Sequence, residues 1–371
     1  MSRNLVASLF LLMISSSVLA TQWLFIGTYT STGSKGIYVY KFDETTGSLD
    51  SVSSVFIENP SYMALSSNGK YLYAVTENGG DKPGQVSSFS FDNTTGKLTL
   101  LNTQPTNGDH PCYVSVDKDN DWVAVANYSG GSLSMLPVNK DGSLQAPAQT
   151  IQHYGSSIVE SRQKAPHVHM TMFSPSEQFL VANDLGTDEV SGYKFNGNKN
   201  GLPLDTPATI RLKMKAGSGP RHLAFHPNKP LVYVLEELTG TISVHYFSKN
   251  NVSLVQDIEA DTTSPLPDKG SADIHFSPDG NFLYASNRGK ANYISIYHVN
   301  SEGKLNRIGT QPVLGEKPRN FTIDETGNYL LVANMGTDNV VIFKRDINSG
   351  LLTATGRQLK IPTPVCLKML R

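Results

Sequence analysis

The sequence is short of the features that mark many function classes. Its 371 residues hold only two cysteines, Cys112 and Cys366. That excludes a disulfide scaffold and the common zinc motifs, which need clustered Cys and His. A Gly-x-Ser-x-Gly elbow and an HExxH helix motif are both missing, so two frequent hydrolase designs have no sequence support. No block of one charge exists and the net charge is −1, which argues against nucleic acid as a partner. After residue 20 no apolar run is long enough to span a membrane as a helix. Amphipathic helical periodicity is also missing.

The first twenty residues differ from the rest. Arg3 supplies a short positive start, Leu5 to Met13 an apolar stretch, and Val18-Leu19-Ala20 small or tolerated residues before a cleavage point. The apolar stretch is about half the ~20 residues of a spanning helix. This pattern predicts a secretory signal peptide at 1–20, cleaved after Ala20, and a secreted or periplasmic protein with no membrane attachment once cleaved.

What is abundant is repetition. One motif recurs: a short apolar strand, a polar turn, then a strand rich in Tyr, Val and Ala. Copies are PSYMALSSNGKYLYAVTE at 60–77, PCYVSVDKDNDWVAVANY at 111–128 and HVHMTMFSPSEQFLVAND at 167–184. Three more are PRHLAFHPNKPLVYVLEE at 220–237, SADIHFSPDGNFLYASNR at 271–288 and PRNFTIDETGNYLLVANM at 318–335. The apolar residues before the turns, Leu65, Val116, Phe173, Phe225, Phe276 and Ile323, are 51, 57, 52, 51 and 47 residues apart. Such a period with several strands per copy indicates propeller blades.

A seventh copy is split. PVCLKML at 364–370 matches a first strand, and WLFIGTY at 23–29 matches the missing second strand. The expected fold is therefore all-β. It is a single seven-bladed β-propeller of four-stranded blades over 21–371, closed by the C-terminal strand joining the N-terminal blade. Closure removes the open edge that a linear array would leave. Cys112 and Cys366 fall in non-adjacent blades, so no bridge is expected. The stretch around 154–165 reads as a long loop inserted before blade four.

Two positions per repeat meet at one end of each inner strand pair, because those strands are antiparallel. The first gives Ser61, Cys112, His169, Arg221, Ala272 and Arg319. The second gives Tyr29, Glu77, Tyr128, Leu185, Glu237, Arg288 and Met335. Packing alone would repeat one residue type. A collection of His, Arg and Glu at one mouth marks a functional face. Bland readings stand beside this one: Arg221 with Glu237 as a structural ion pair, His169 as a strand cap, Glu77 as a solvated carboxylate. His167 is the rival for the role of His169. Asp273, His275, His222 and His226 read as structural.

The repeats resemble the lactonase family of seven-bladed propellers, which includes cycloisomerase-type 6-phosphogluconolactonases and the carboxy-cis,cis-muconate lactonizing enzyme. The matching stretches are IGTYTSTGSKGIYVYKFD at 26–43, HMTMFSP at 169–175 and GPRHLAFHPN at 219–228 with Glu236-Glu237-Leu238. DIHFSPDGNFLYASNR at 273–288 and KPRNFTIDETGNYL at 317–330 also match. The resemblance implies a functional set of His169, Arg221, Glu237 and Arg288. It implies hydrolysis of a sugar lactone, 6-phosphogluconolactone-like, at the channel mouth. An export signal fits poorly with a phosphorylated cytosolic substrate.

On this reading Glu237 and His169 carry proton transfer. Arg221, Arg288, Arg319 and Glu77 bind an anionic small-molecule lactone. No cofactor and no metal are expected, and the chain is expected to act as a monomer. Three other readings remain open. One is a muconate-lactonizing cycloisomerase, the same bond made in reverse. One is a calcium-dependent gluconolactonase type using Asn127, Asn183, Asn287 and Asn334 as oxygen ligands. The last is an exported propeller that only binds.

Overall fold

The computed structural model describes residues 21–197, 201–248 and 251–371. The expected signal peptide at 1–20 lies outside them. The described residues form seven four-stranded antiparallel sheets, and no helix occurs among them. Blade 1 is the split one: its innermost strand is Pro364–Leu370, followed outward by Thr21–Thr28, Ile37–Asp43 and Leu49–Val55. Blades 2 to 7 follow along the chain. Their innermost strands are Met63–Leu65, Pro111–Val116, Val168–Phe173, Pro220–Phe225, Ser271–Phe276 and Pro318–Ile323.

Burial explains which residues form which strand. Second strands such as Trp122–Asn127, Leu231–Glu236 and Tyr329–Asn334 are buried at every position, because neighbouring blades cover both faces. They therefore read as unbroken apolar runs. Outer strands have one covered face and alternate, as in Leu305–Pro312. The tight turns between first and second strands carry their glycines at positive φ. Gly280, at φ 71°, is one, and Asp279 beside it accepts hydrogen bonds from Ser277 and Asn281.

Adjacent blades are riveted by buried tyrosines. Tyr73 donates to the Gly142 carbonyl, Tyr233 to Gly303 and Tyr284 to Gly350, each in the next blade. Tyr329 of blade 7 donates to Thr45 of blade 1, so the same device closes the ring. A buried phenol needs such a partner, and here the need is met across the blade boundary. The cysteines are both buried and free.

Asp273 ties three inner strands together. It accepts from His222 Nδ1 at 2.7 Å, from His275 Nε2 at 2.8 Å and from the Asn320 amide. Asn320 in turn accepts from the Leu367 amide at 2.6 Å, carrying the network from blade 5 to blade 1. His222 and Asp273 are thereby structural. His226 accepts from the Asn228 amide in its own turn.

Candidate active site

The two repeat positions converge as the antiparallel pairing demands. In every blade the second-position amide donates to a carbonyl two residues before the first position. Glu237 donates to Gly219, Arg288 to Gly270, Met335 to Lys317, Tyr29 to Thr363, and Glu77, Tyr128 and Leu185 follow suit. The first-position residues stand out for another reason. In blades 3 to 7 each sits in a register shift of the inner strand: Cys112, His169, Arg221, Ala272 and Arg319. A bulge inserts one unpaired residue and re-aims its side chain. Here the repeated bulge turns one residue per blade away from the strand pair.

The resulting cavity, about 230 Å3, is lined by Tyr29, Glu77, Cys112, Tyr128, Arg162, His169, Glu237, Arg288 and Arg319. Glu237 is its electrostatic centre. Its Oε2 lies 2.9 Å from both Arg221 Nε and an Arg288 terminal nitrogen, and its Oε1 accepts from Arg162 at 2.7 Å. The approach of Arg221 Nε is an ion pair by distance without hydrogen-bond alignment. Burial alone would raise the Glu237 carboxyl. Arg288, Arg221 and Arg162 outweigh it and hold the group ionised, well below the usual carboxylate range.

The other members have distinct settings. Burial and Arg221 push the His169 imidazole well below its ordinary pKa, so it is neutral at physiological pH. Its Nδ1 is 3.8 Å from Cys112 Sγ. The Cys112 thiol is pushed up by burial and by Glu77, which leaves it protonated and no nucleophile. Glu77 accepts a 2.9 Å hydrogen bond from the Tyr29 hydroxyl. The Arg319 guanidinium lies 5.7 Å from the centre of the Tyr29 ring. Among the described residues it forms no ion pair within 4 Å.

Of the six residues expected at the site, five line the cavity: His169, Glu237, Arg288, Arg319 and Glu77. Arg221 does not. It is 1% exposed behind Glu237, spends a terminal nitrogen on the Ala272 carbonyl, and reaches the cavity only through the carboxylate it neutralises. It is therefore placed to support Glu237, not to touch a ligand. His167 also lies outside, stacked on Tyr128 at 4.5 Å with Nδ1 at the Tyr128 carbonyl.

Arg162 is the member the repeat pattern misses, because it comes from the inserted loop and from no repeat position. Its loop is anchored by Gln163, which is fully buried and donates to the Leu185 carbonyl and to Asp188. Asp188 also accepts from the Gly217 and Gly219 amides, joining this loop to the segment that leads into Arg221.

The asparagines considered as calcium ligands do not line the cavity. Asn127, Asn287 and Asn334 spend their amides on the Thr106, Ala260 and Val313 carbonyls, in the connections entering their own blades. Beneath the cavity, Tyr62 and Tyr113 stack at 3.9 Å with His222 edge-on to both. A larger, more apolar cavity of about 430 Å3 opens toward the far ends of the inner strands, beyond these rings.

Known proteins place this geometry. The family model described as lactonase, 7-bladed beta-propeller matches residues 23–369. A 6-phosphogluconolactonase of Formosa agariphila is 38% identical over 350 residues, covering 93% of this chain and 99% of the relative. The Bacillus subtilis protein of that name is 36% identical, covering 93% and 97%. The solved structure of a Pseudomonas aeruginosa periplasmic gluconolactonase superposes with a TM-score of 0.90 at 33% identity, covering 95% of this chain and 99% of that one. The seven four-stranded blades, the split repeat that closes them and these matches lead to one conclusion: the chain belongs to the lactonase family of seven-bladed β-propellers.

Proposed function

We propose that the chain is a lactonase that hydrolyses the internal ester of an anionic sugar lactone in the cavity around Glu237. One observation carries the reading: three guanidiniums, a neutral imidazole and two carboxylates converge on one small chamber. Relatives named 6-phosphogluconolactonase support the substrate class.

Arg319, which forms no ion pair within 4 Å among the described residues, binds the substrate's phosphate or carboxylate. Arg288 faces the carbonyl and stabilises the negative charge that develops on its oxygen. Glu237, with His169 as partner, accepts the proton of the attacking water and returns one to the ring oxygen as the C–O bond breaks. Glu77, oriented by Tyr29, accepts hydrogen bonds from sugar hydroxyls. The products are the open hydroxy carboxylate and one proton, released when the new carboxylic acid ionises.

The test is a rate panel on purified protein, with glucono-δ-lactone, 6-phosphogluconolactone and a muconolactone, each with and without a chelator. Turnover of a sugar lactone, faster for the phosphorylated one and unchanged by chelator, is expected. Cyclisation of a muconate without sugar-lactone hydrolysis would assign the reverse reaction. Binding without turnover would assign a binding propeller.

We also infer that residues 1–20 direct export. The positive start, short apolar stretch and Ala20 support this, and the Pseudomonas relative is itself described as periplasmic. Mass spectrometry of protein from its natural host is expected to give Thr21 as the first residue. An intact Met1 in a cytosolic fraction would reject export.

A further inference from the structure

The two oxygens of Glu237 are held very differently. Oε2 is shared by Arg221 and Arg288, and both are fixed. Arg221 is fully enclosed, and Arg288 is fastened by its Nε to the Gly270 carbonyl at 3.0 Å. Oε1 has Arg162 as its one partner among the described residues. Arg162 is the least enclosed of the three, with 38% of its side chain exposed against 2% for Arg221 and 16% for Arg288. Its remaining side-chain hydrogen bond among the described residues is a 3.2 Å contact to the Tyr128 hydroxyl.

The backbone beneath Arg162 is pinned. Gln163 is buried and bonded at both ends of its amide, to Leu185 and Asp188 on one side and to the Val159 amide on the other. A long, charged, partly exposed side chain therefore pivots on a fixed base at the cavity wall.

We propose that Arg162 senses the substrate's charge: it exchanges its contact with Glu237 Oε1 for an oxygen of the anionic group that Arg319 also binds, and so frees the Glu237 oxygen to take the proton of the attacking water. The proposal rests on the lactonase reading. Hydration competes for the Arg162 end of the pair, which is 38% exposed, while Glu237 is 7% exposed and keeps Arg221 and Arg288 as countercharges when Arg162 leaves. A phosphate offers the guanidinium a bidentate partner of higher charge. Departure of one cation also relaxes the field that keeps Glu237 a weak base. A neutral lactone leaves Arg162 where it is, and Glu237 stays a weak base. Selectivity for charged substrates and activation of the base are then one event.

The experiment compares wild type with Arg162→Ala and Arg162→Lys. It reads kcat/KM for 6-phosphogluconolactone and glucono-δ-lactone across pH, and calorimetric Kd for the non-reacting pair glucose 6-phosphate and glucose. Arg162→Ala is expected to lower the charged-over-neutral ratio of kcat/KM by about 10–100-fold. The neutral lactone is expected to react faster in Arg162→Ala, and the acid limb of its profile to move to higher pH. Arg162→Lys keeps a charge without the fork and retains part of the ratio. Equal losses on both lactones, or an unchanged ratio, would overturn the proposal. If wild type hydrolyses neither lactone, the lactonase reading fails. The loss in Arg162→Ala of a Kd preference for glucose 6-phosphate over glucose then decides alone whether Arg162 reads charge.

Discussion

Removing residues 364–371 is expected to leave a chain that neither folds cooperatively nor stays soluble. The lost segment is the innermost strand of blade 1, paired along its length with Trp23–Thr28. Val365 and Leu367 are 1% exposed, and their loss uncovers Leu24 and Ile26, both at 0%. Fully burying such a side chain contributes about 1.5–3 kcal/mol, so four of them account for roughly 6–12 kcal/mol. Whole domains are stable by only about 5–15 kcal/mol. The deletion also removes the donor to Asn320, which carries the Asp273 network onto blade 1. It turns a strand buried at seven of its eight positions into an open edge, a template for aggregation. Circular dichroism, a thermal melt and size-exclusion chromatography read the outcome. A monomeric product with a cooperative melt within a few degrees of wild type would show that closure contributes little.

Much of this architecture is legible in the sequence because a repeat is a physical statement. Each blade must bury two faces of its second strand, so WVAVAN at 122–127 and YLLVAN at 329–334 look alike for the same reason. The split copy is legible because a strand at 364–370 without a partner has to find one. The convergence of His169, Glu237 and Arg288 follows from strand pairing within each blade and from closure of the blades into a ring.

What escaped the sequence depends on features that carry no period. The bulge of blades 3 to 7 is not announced by the bulged residue, since Cys112, His169 and Arg319 differ in type, and the proline that precedes Cys112, Arg221 and Arg319 also stands at Pro60, where the paired strand has no register shift. The depth of Arg221 is also hidden. It occupies the same repeat position as Arg319, yet it is enclosed behind Glu237 while Arg319 lines the cavity. Arg162 lies in an insertion, where alignment of the repeats has nothing to compare. The one available signal was that an insertion beside a candidate site contains a guanidinium at all.

The depth of Arg221 shapes the second large effect. Glu237→Gln is expected to damage both activity and stability, and the two losses have different origins. The amide keeps the shape of the side chain but cannot take a proton, so turnover should fall by ~10²–10⁴. It also leaves Arg221 buried without its ion-pair partner, with only the more weakly acting Asp273 carboxylate opposing its charge. Burial, Arg288 and Arg319 already lower the Arg221 pKa to about 9, and the Glu237 carboxylate opposes that shift more strongly than Asp273 does. Removing one partner of a buried pair typically costs about 3–5 kcal/mol, or roughly 5–10 °C in Tm for a domain of this size. Replacing Arg221 as well separates the effects. In Glu237→Gln/Arg221→Met the stranded charge is gone and an apolar chain fills the space, so most of the lost Tm should return. Turnover should not return, because the proton acceptor is still missing. Arg221→Met alone should lower Tm less than Glu237→Gln and retain measurable turnover, since Arg162 and Arg288 still orient the carboxylate. Melts and lactonase rates on the three variants, with rates taken well below each Tm, complete the cycle. Recovery of rate together with Tm in the double variant would reduce Glu237 to a structural counterion and move proton transfer to His169, the neutral imidazole on the same cavity wall.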